Sequence, residues 1–548
     1  MNAAPTNLAA LRALVAQGHA AQAAEAAERW LAGRPGTPAC AAEAVMLAEA
    51  AQIAGQVDRA AALLSAACAM NPADAGPAAL AARFLGQQGR YMDVCKVCAA
   101  ALQRRPHHPE LTVHFANALR WLTRTREAAE VYRRALAACP DDPGLTMNYA
   151  TTLDYLPEAD PLRTLVAHKH AAAVARRRAG AALPPPGQRR PGPWRIGFVS
   201  GDLRRHSVAG FIEPVLRALG SRGVETACYH VAAAEDGVSR RLAGLAARWR
   251  LAPHLDHRAL ADMIRRDDVD LLVDLSGLSA NNRLGTMALR PARRQATYLG
   301  YPNTTGLDEI GHRVVDAVTD PPGAEERAVE RLARVEGCFL AWAPPDGAPE
   351  VTPPPCLATG RITFGSFNSS LKLNEPVIAL WADIVNAVRG SRLLLKPSGA
   401  MDAPSLRAVA DRFAAAGLGA DRLEVLAFEP DERAHLAAYG RVDIALDPWP
   451  YNGTATTVEA LWMGVPVVTM AGATHAGRVG LSLLGAAGLA RLAATDATGY
   501  AAIAAGLAMR PEVLAELRAG MRARVSGGPL GDGSRVAAVL EGLARSDG

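Results

Sequence analysis

The chain predicts an α-helical tetratricopeptide solenoid followed by an α/β region of two Rossmann-like halves. Two patterns carry this expectation. Prolines at 35, 72, 106 and 140 recur at intervals of 37, 34 and 34 residues, the period of paired-helix repeats. From residue 195 onward, apolar strand-like runs alternate with loops and amphipathic helices, the pattern of a parallel sheet covered on both faces. With 548 residues, the chain has room for two to four domains.

Seventeen residues before each of those prolines stands a turn residue: Gly18, Gly55, Gly89 and Thr123. A small turn residue between two helices and a proline closing the second define one repeat. Ala60 and Ala128 place small side chains where the helices approach closely. Three repeats are well defined, with a looser one at the N-terminus and a partial helical unit over 143–178. Such an array stacks helix pairs and presents a concave surface to a peptide. Residues 1–178 are therefore expected to be a protein-binding array rather than a catalyst.

Residues 179–194 (AGAALPPPGQRRPGPW) are dense in Pro and Gly and cannot continue a helix. Arg189 and Arg190 in this linker are expected to be solvated. The first Rossmann-like half spans 195–345. Its first strand, RIGFVSG, ends at a loop carrying His206, at the carboxyl edge where such sheets bind ligands. After a second Pro-rich break, the other half spans 356–548. There RITFGSF reads as a strand, the next loop carries Lys372, and the stretch 442–470 reads as strand, broken loop, helix and strand. In that last stretch Gly453, Thr454, Ala455 and Thr456 lead into a helix, whose free N–H groups suit a phosphate but also describe an ordinary cap.

Composition narrows the function classes. Lys and Arg total 59 against 54 Asp and Glu, a net charge of +5, too balanced to argue for a nucleic-acid partner. No apolar run is long enough for a membrane span, and the N-terminus lacks the pattern of a secretory signal. The eight cysteines show no pairing rhythm, and Cys95–Cys98 is a lone CxxC without a second ligand pair. Buried thiols in a cytoplasmic protein are expected. The single DxD-like sequence, Asp268-Val269-Asp270, runs from a helix end into a strand and is a weak metal site. Lysine acts on phosphate as a point charge, so Lys372 and a helix N-terminus together offer a device that needs no metal. His206 has the pKa range of a general base, and His435 lies on a helix before the 442–470 stretch.

An array of this kind followed by RIGFVSGDLRRHSVAGFIEPVL, ALRPARRQATYLGYPNTTG, FGSFNSSLKLNEPVIALWADIV and DIALDPWPYNGTATTVEALWMGVPVVTMAGATHAGRVGLSLL resembles the O-linked N-acetylglucosamine transferase family in a bacterial form. The resemblance covers nearly the whole chain. It implies a GT-B glycosyltransferase that moves a sugar from a UDP-sugar to Ser or Thr of a protein, with inversion and without a metal or other cofactor. By resemblance, Lys372 and residues 454–456 contact the donor diphosphate, Glu459 lies near the ribose, His435 near the nucleoside, and Gly300, Tyr301 and Pro302 near the sugar and acceptor. His206 matches a histidine once proposed as general base. The chain departs from animal relatives at Thr454 (histidine there), Ala455 (a hydroxyl residue), Ser369 (glutamine) and Glu432 (a cation), and from many bacterial relatives at Leu278 (histidine). Two alternatives follow. Similar proteins with short arrays modify flagellin from CMP-nonulosonic acid donors, and the array could also serve an adaptor with an inactive transferase domain.

Overall fold

The computed structural model describes residues 38–53 and 55–546, with isolated positions at 14, 19, 22 and 26. The first repeat, with Gly18 and Pro35, lies outside the described residues. The chain divides into two compact units: Met1–Asn148 with Gly399–Val409, and Tyr149–Ser398 with Ala410–Gly548.

The first unit is helical. Pro38–Ile53, Val57–Met70, Gly76–Gln87, Tyr91–Leu102, Pro109–Trp121 and Thr125–Ala138 each pack on the next. The turn residues Gly55, Gly89 and Thr123 all take left-handed backbone, with φ of 71°, 70° and 63°. Each turn closes with the same long bond. Gln56, Arg90 and Arg124 donate N–H to the carbonyls of Ala51, Leu85 and Leu119, at 2.9, 2.9 and 2.8 Å. This helix-ending motif favours glycine, so the 34-residue period is a period in backbone conformation. Ala60, Val94 and Ala128 occupy equivalent buried positions.

The segment Gly399–Val409 was not expected in this unit, because it follows the second strand of the second sheet in the chain. Asp402 donates N–H to the Gly89 carbonyl at 3.2 Å, and Tyr91 donates N–H to Ser405 Oγ at 3.1 Å. These bonds tie the segment to the array.

The second unit holds two parallel sheets. The first contains β1 (Arg195–Ser200), β2 (Glu225–His230), β3 (Arg248–Leu251), β4 (Leu271–Asp274), β5 (Arg294–Thr297), β6 (His312–Asp316) and β7 (Arg331–Val335), in the order β3-β2-β1-β4-β5-β6-β7. The second contains β8 (Thr363–Ser366), β9 (Arg392–Leu395), β10 (Leu423–Val425), β11 (Ile444–Leu446), β12 (Val467–Met470) and β13 (Ala493–Ala494), in the order β10-β9-β8-β11-β12-β13. Both orders reverse beside the first strand. The crevices therefore open at the carboxyl ends of β1 and β4 in one sheet, and of β8 and β11 in the other. The two-sheet GT-B architecture expected from sequence is present.

Three details differ from the segmental reading. Helix Pro161–Ala179 belongs to the sheet-bearing unit, where Arg176 pairs with Glu309 at 2.7 Å and His168 Nε2 lies 2.7 Å from the Tyr301 hydroxyl. The last helix, Ser534–Arg545, leaves the second sheet and packs on the first half, and its Glu541 receives Arg222 at 2.6 Å. In the linker, Arg190 is mostly exposed, but Arg189 is not solvated. Its Nε lies 3.1 Å from Asp270, and its guanidinium stacks 4.0 Å from the Trp194 ring.

Candidate active site

The stretch after β11 forms one wall of the site. Asp447 follows the strand directly and is fully buried; its carboxylate accepts N–H from Gly453 at 2.6 Å and the Thr469 hydroxyl at 2.6 Å. These bonds curl residues 448–453 back over the sheet edge. A Cβ at Gly453 would lie 2.6–2.8 Å from the Thr457 and Thr456 hydroxyls and Asp447 Oδ1, so the turn requires glycine. Thr454 then starts helix Ala455–Trp462 without a side-chain cap. That leaves the first-turn N–H groups of Ala455, Thr456 and Thr457 outside the helix's own bonding.

Lys372 comes from the 3₁₀ turn Ser370–Lys372 after β8. Its ammonium donates to the Asn452 carbonyl at 2.7 Å and Asn368 Oδ1 at 3.3 Å, and lies 4.7 Å from the Tyr451 ring. Asn368 also accepts the Thr456 hydroxyl at 2.9 Å, so one amide links the lysine to the helix start. Burial pushes the Lys372 pKa down to about 8, against the pull of the Asp447 carboxylate. Burial also raises Asp447 to about 7, opposed by its hydrogen bonds from Thr469 and Gly453 and by Lys372. A half-buried, desolvated ammonium beside open N–H groups favours an anionic ligand, which would add negative charge next to it.

Lys372, Ser369, Thr454, Ala455 and Thr456 face His206, Gly300 and Pro302 across a cleft of about 240 Å³ between the two halves. His206 caps helix Ser207–Ser221: its Nδ1 accepts N–H from Val208 at 3.3 Å. Burial lowers its pKa, with Asp202 opposing. The loop after β5 must pass over β4, and a Cβ at Gly300 would meet the Leu275 carbonyl at 1.7 Å. Tyr301 turns away from the cleft, its hydroxyl bonded to His168 and Asp154.

A second cavity of about 440 Å³ also includes His206 and Ala455 and holds His435, Glu459 and Glu432. His435 is bracketed by Lys396 at 2.7 Å on Nδ1 and Glu459 at 3.2 Å on Nε2. With the ammonium donating to Nδ1, the ring's proton sits on Nε2 and points at Glu459. Tyr439 donates to the same carboxylate at 3.3 Å. Asp268 and Asp270 lie elsewhere, engaged by arginines: Arg293 and Arg195 reach Asp268 at 2.8 and 3.2 Å, and Arg189 reaches Asp270. Among the described residues no group of three His, Cys, Asp or Glu is arranged to hold a metal, and no helix is long and apolar enough to cross a membrane.

Sequence reasoning did not single out Asn368, Asp447, Lys396 or His475. His475 lines the 240 Å³ cleft and stands five residues past the end of β12, at a carboxyl edge. That position was the available signal.

The sequence matches the profile of Glycosyl transferase family 41 over residues 133–342 and 356–538. The chain belongs to glycosyl transferase family 41. It is 38% identical over 358 residues to a probable UDP-N-acetylglucosamine–peptide N-acetylglucosaminyltransferase, SPINDLY, of Arabidopsis thaliana, covering 65% of this chain and 39% of that protein. The SPINDLY protein of Solanum lycopersicum is 40% identical over 65% of this chain and 38% of its own length. The protein named SEC of Arabidopsis thaliana, with the same probable activity, is 27% identical over 63% of this chain and 36% of its own length. The chain thus spans about two-fifths of the length of its SPINDLY relatives. Among solved structures, a mutant O-GlcNAc transferase from Thermobaculum terrenum superposes with a TM-score of 0.82 at 31% identity, covering 92% of this chain and 97% of that one.

Proposed function

We propose that this protein transfers N-acetylglucosamine from UDP-N-acetylglucosamine to Ser or Thr of an acceptor protein, with inversion and without a metal. The observation that carries the proposal is the half-buried Lys372 ammonium set beside the open first turn of helix Ala455–Trp462, at the crevice of the second sheet. In this reading the 440 Å³ cavity takes the nucleoside, with Glu459 accepting from the ribose. Lys372, Thr456 and the first-turn N–H groups hold the diphosphate and stabilise its charge as the anomeric C–O bond breaks. The acceptor hydroxyl enters from the side of Gly300, Pro302 and His206 and attacks the opposite face of the sugar. The array recruits the acceptor, in the cytoplasm. The short connection from the end of β7 at Val335 to the start of β8 at Thr363 supports reading the chain as a bacterial form of the family.

The test is mass spectrometry of serine- and threonine-rich peptides incubated with the full chain, UDP-N-acetylglucosamine and EDTA. A gain of one N-acetylhexosamine supports the reading; no gain in the presence or absence of divalent metal overturns it. The residues present at 369, 454 and 455 favour testing a second donor class, since Ser369, Thr454 and Ala455 all line the cleft. Thermal stabilisation by CMP and not by UDP would transfer the assignment to a CMP-sugar.

A further inference from the structure

Two histidines line the cleft that faces Lys372, and their surroundings give them opposite proton arrangements. His206 uses Nδ1 to accept the Val208 N–H at 3.3 Å, while its nearest carboxylate, on Asp202, is 3.9 Å away, too far to take a proton from that nitrogen. A neutral ring so placed carries its proton on Nε2 and presents a donor. His475 is the reverse. Its Nδ1 lies 2.5 Å from Asp320 Oδ2, so the proton is on Nδ1 and Nε2 keeps its lone pair. The ring is 7% exposed and fixed edge-on against Phe339, with centroids 4.9 Å apart.

We infer that His475, held by Asp320, is the base that receives the acceptor hydroxyl proton, and that His206 acts as a hydrogen-bond donor. The inference rests on the proposed transfer reaction. The acceptor oxygen forms its bond to the anomeric carbon as the carbon–phosphate-oxygen bond breaks. The electron pair leaves with UDP, and the hydroxyl proton passes to His475 Nε2. The imidazolium that results has Asp320 against it and Arg313 3.8 Å from the same carboxylate. Asp316 adds a second carboxylate on the strand side, bonded to the Ser482 hydroxyl at 2.5 Å. Lys372, His206 and Tyr451 are the other titratable groups lining the cleft. Arg327 and Arg478 are turned to the backbone carbonyls of Ala473 and Val318. Burial alone would raise Asp320, but His475 and Arg313 hold it below the ordinary carboxylate range. Asp320 thus stays ionised and keeps the ring in the accepting tautomer.

The experiment follows UDP release by the full chain from UDP-N-acetylglucosamine with a serine/threonine peptide library, as a function of pH. It compares wild type, His475→Gln, Asp320→Asn and His206→Ala, and titrates UDP alone into each. His475→Gln is expected to lower kcat at least ~100-fold, to leave the UDP Kd within about threefold, and to abolish the acid limb of the profile. Asp320→Asn reverses the tautomer and is expected to follow it, while His206→Ala keeps the acid limb. Selectively ¹⁵N-labelled histidine reports the tautomers directly. An acid limb that disappears with His206 and persists without His475 overturns the inference. So does a His475→Gln enzyme that keeps more than about a third of kcat or loses UDP affinity in parallel. If wild type releases no UDP, the proposed transfer falls and the base falls with it; if only the His475 results fail, the transfer reading stands.

Discussion

At the scale of single residues, Lys372 is the clearest case of a side chain whose chemistry is set by its surroundings. It is half-buried, its pKa is depressed to about 8 by desolvation, and its hydrogen bonds go to the acceptors Asn452 and Asn368. Lys372→Ala is expected to lower transfer by more than ~10³-fold with little loss of melting temperature, because a desolvated charge is removed along with its bonds. Activity within tenfold of wild type would contradict this. The depressed pKa also predicts a pH dependence. A bound diphosphate raises the lysine pKa, so the complex holds a proton that the free site sheds above about 8. UDP affinity should therefore be flat below that pH and fall above it, towards tenfold per unit, and Lys372→Met should remove the dependence. Calorimetric titration across pH 6.5 to ~9.5 reads both effects. The lysine and the helix start were legible in the sequence as loop and cap chemistry. Asn368, which joins them, was not, because an asparagine two residues past a strand has no local signature.

At the scale of elements, the two halves end their fourth strands alike. Asp274 closes β4 and accepts Gly277 N–H at 2.7 Å and the Thr297 hydroxyl of β5 at 2.9 Å. Asp447 follows β11 and accepts Gly453 N–H and the Thr469 hydroxyl of β12. Each aspartate ties a crevice loop to the neighbouring strand. Burial raises both, to about 6 and about 7. Gly453→Ala drives a methyl into this arrangement and is expected to weaken UDP binding at least tenfold, read by titration; unchanged affinity would separate the turn from the ligand site. In the helical unit the turn residues make a paired test. Gly55→Ala meets only the left-handed backbone penalty, roughly 1 kcal/mol, since nothing lies within 4 Å of its Cβ. Gly89→Ala pays the same penalty and also strikes the Ala400 carbonyl at 2.3 Å, so it should cost roughly 2–3 kcal/mol more. Thr123, already left-handed with a buried hydroxyl, should gain about 1 kcal/mol as glycine. Chemical denaturation of the three variants measures these differences. The repeat was legible because its period lies in proline and glycine, the residues that punctuate backbone most strongly. The left-handed Thr123 shows that the motif tolerates another residue at that cost.

At the scale of the whole molecule, chain order and spatial order part company twice. The segment Gly399–Val409, between strands of the second sheet, packs with the helical unit. The last helix returns to the first half, burying Val536, Ala537, Leu540 and Ala544. Leu540→Ala is therefore expected to destabilise the N-terminal half of the catalytic region by about 2–5 kcal/mol, visible as lost amide protection in β1 and β4 by hydrogen exchange. Loss confined to β8–β13 would show that the helix stabilises its own half instead.

The sequence by itself determined the repeat period, the alternation of strands and helices, and the pairing of a lysine loop with a helix start. Each of these is encoded within about one supersecondary unit, through periodicity, capping and turn chemistry. The tertiary structure alone decided which loops face one another, which way Tyr301 points, and which histidine keeps a free lone pair. Those outcomes depend on partners far apart in the chain: Asp320 with His475, and Tyr301 with His168. A ring's tautomer follows from the atom that meets its other nitrogen, and only the folded topology brings that atom there.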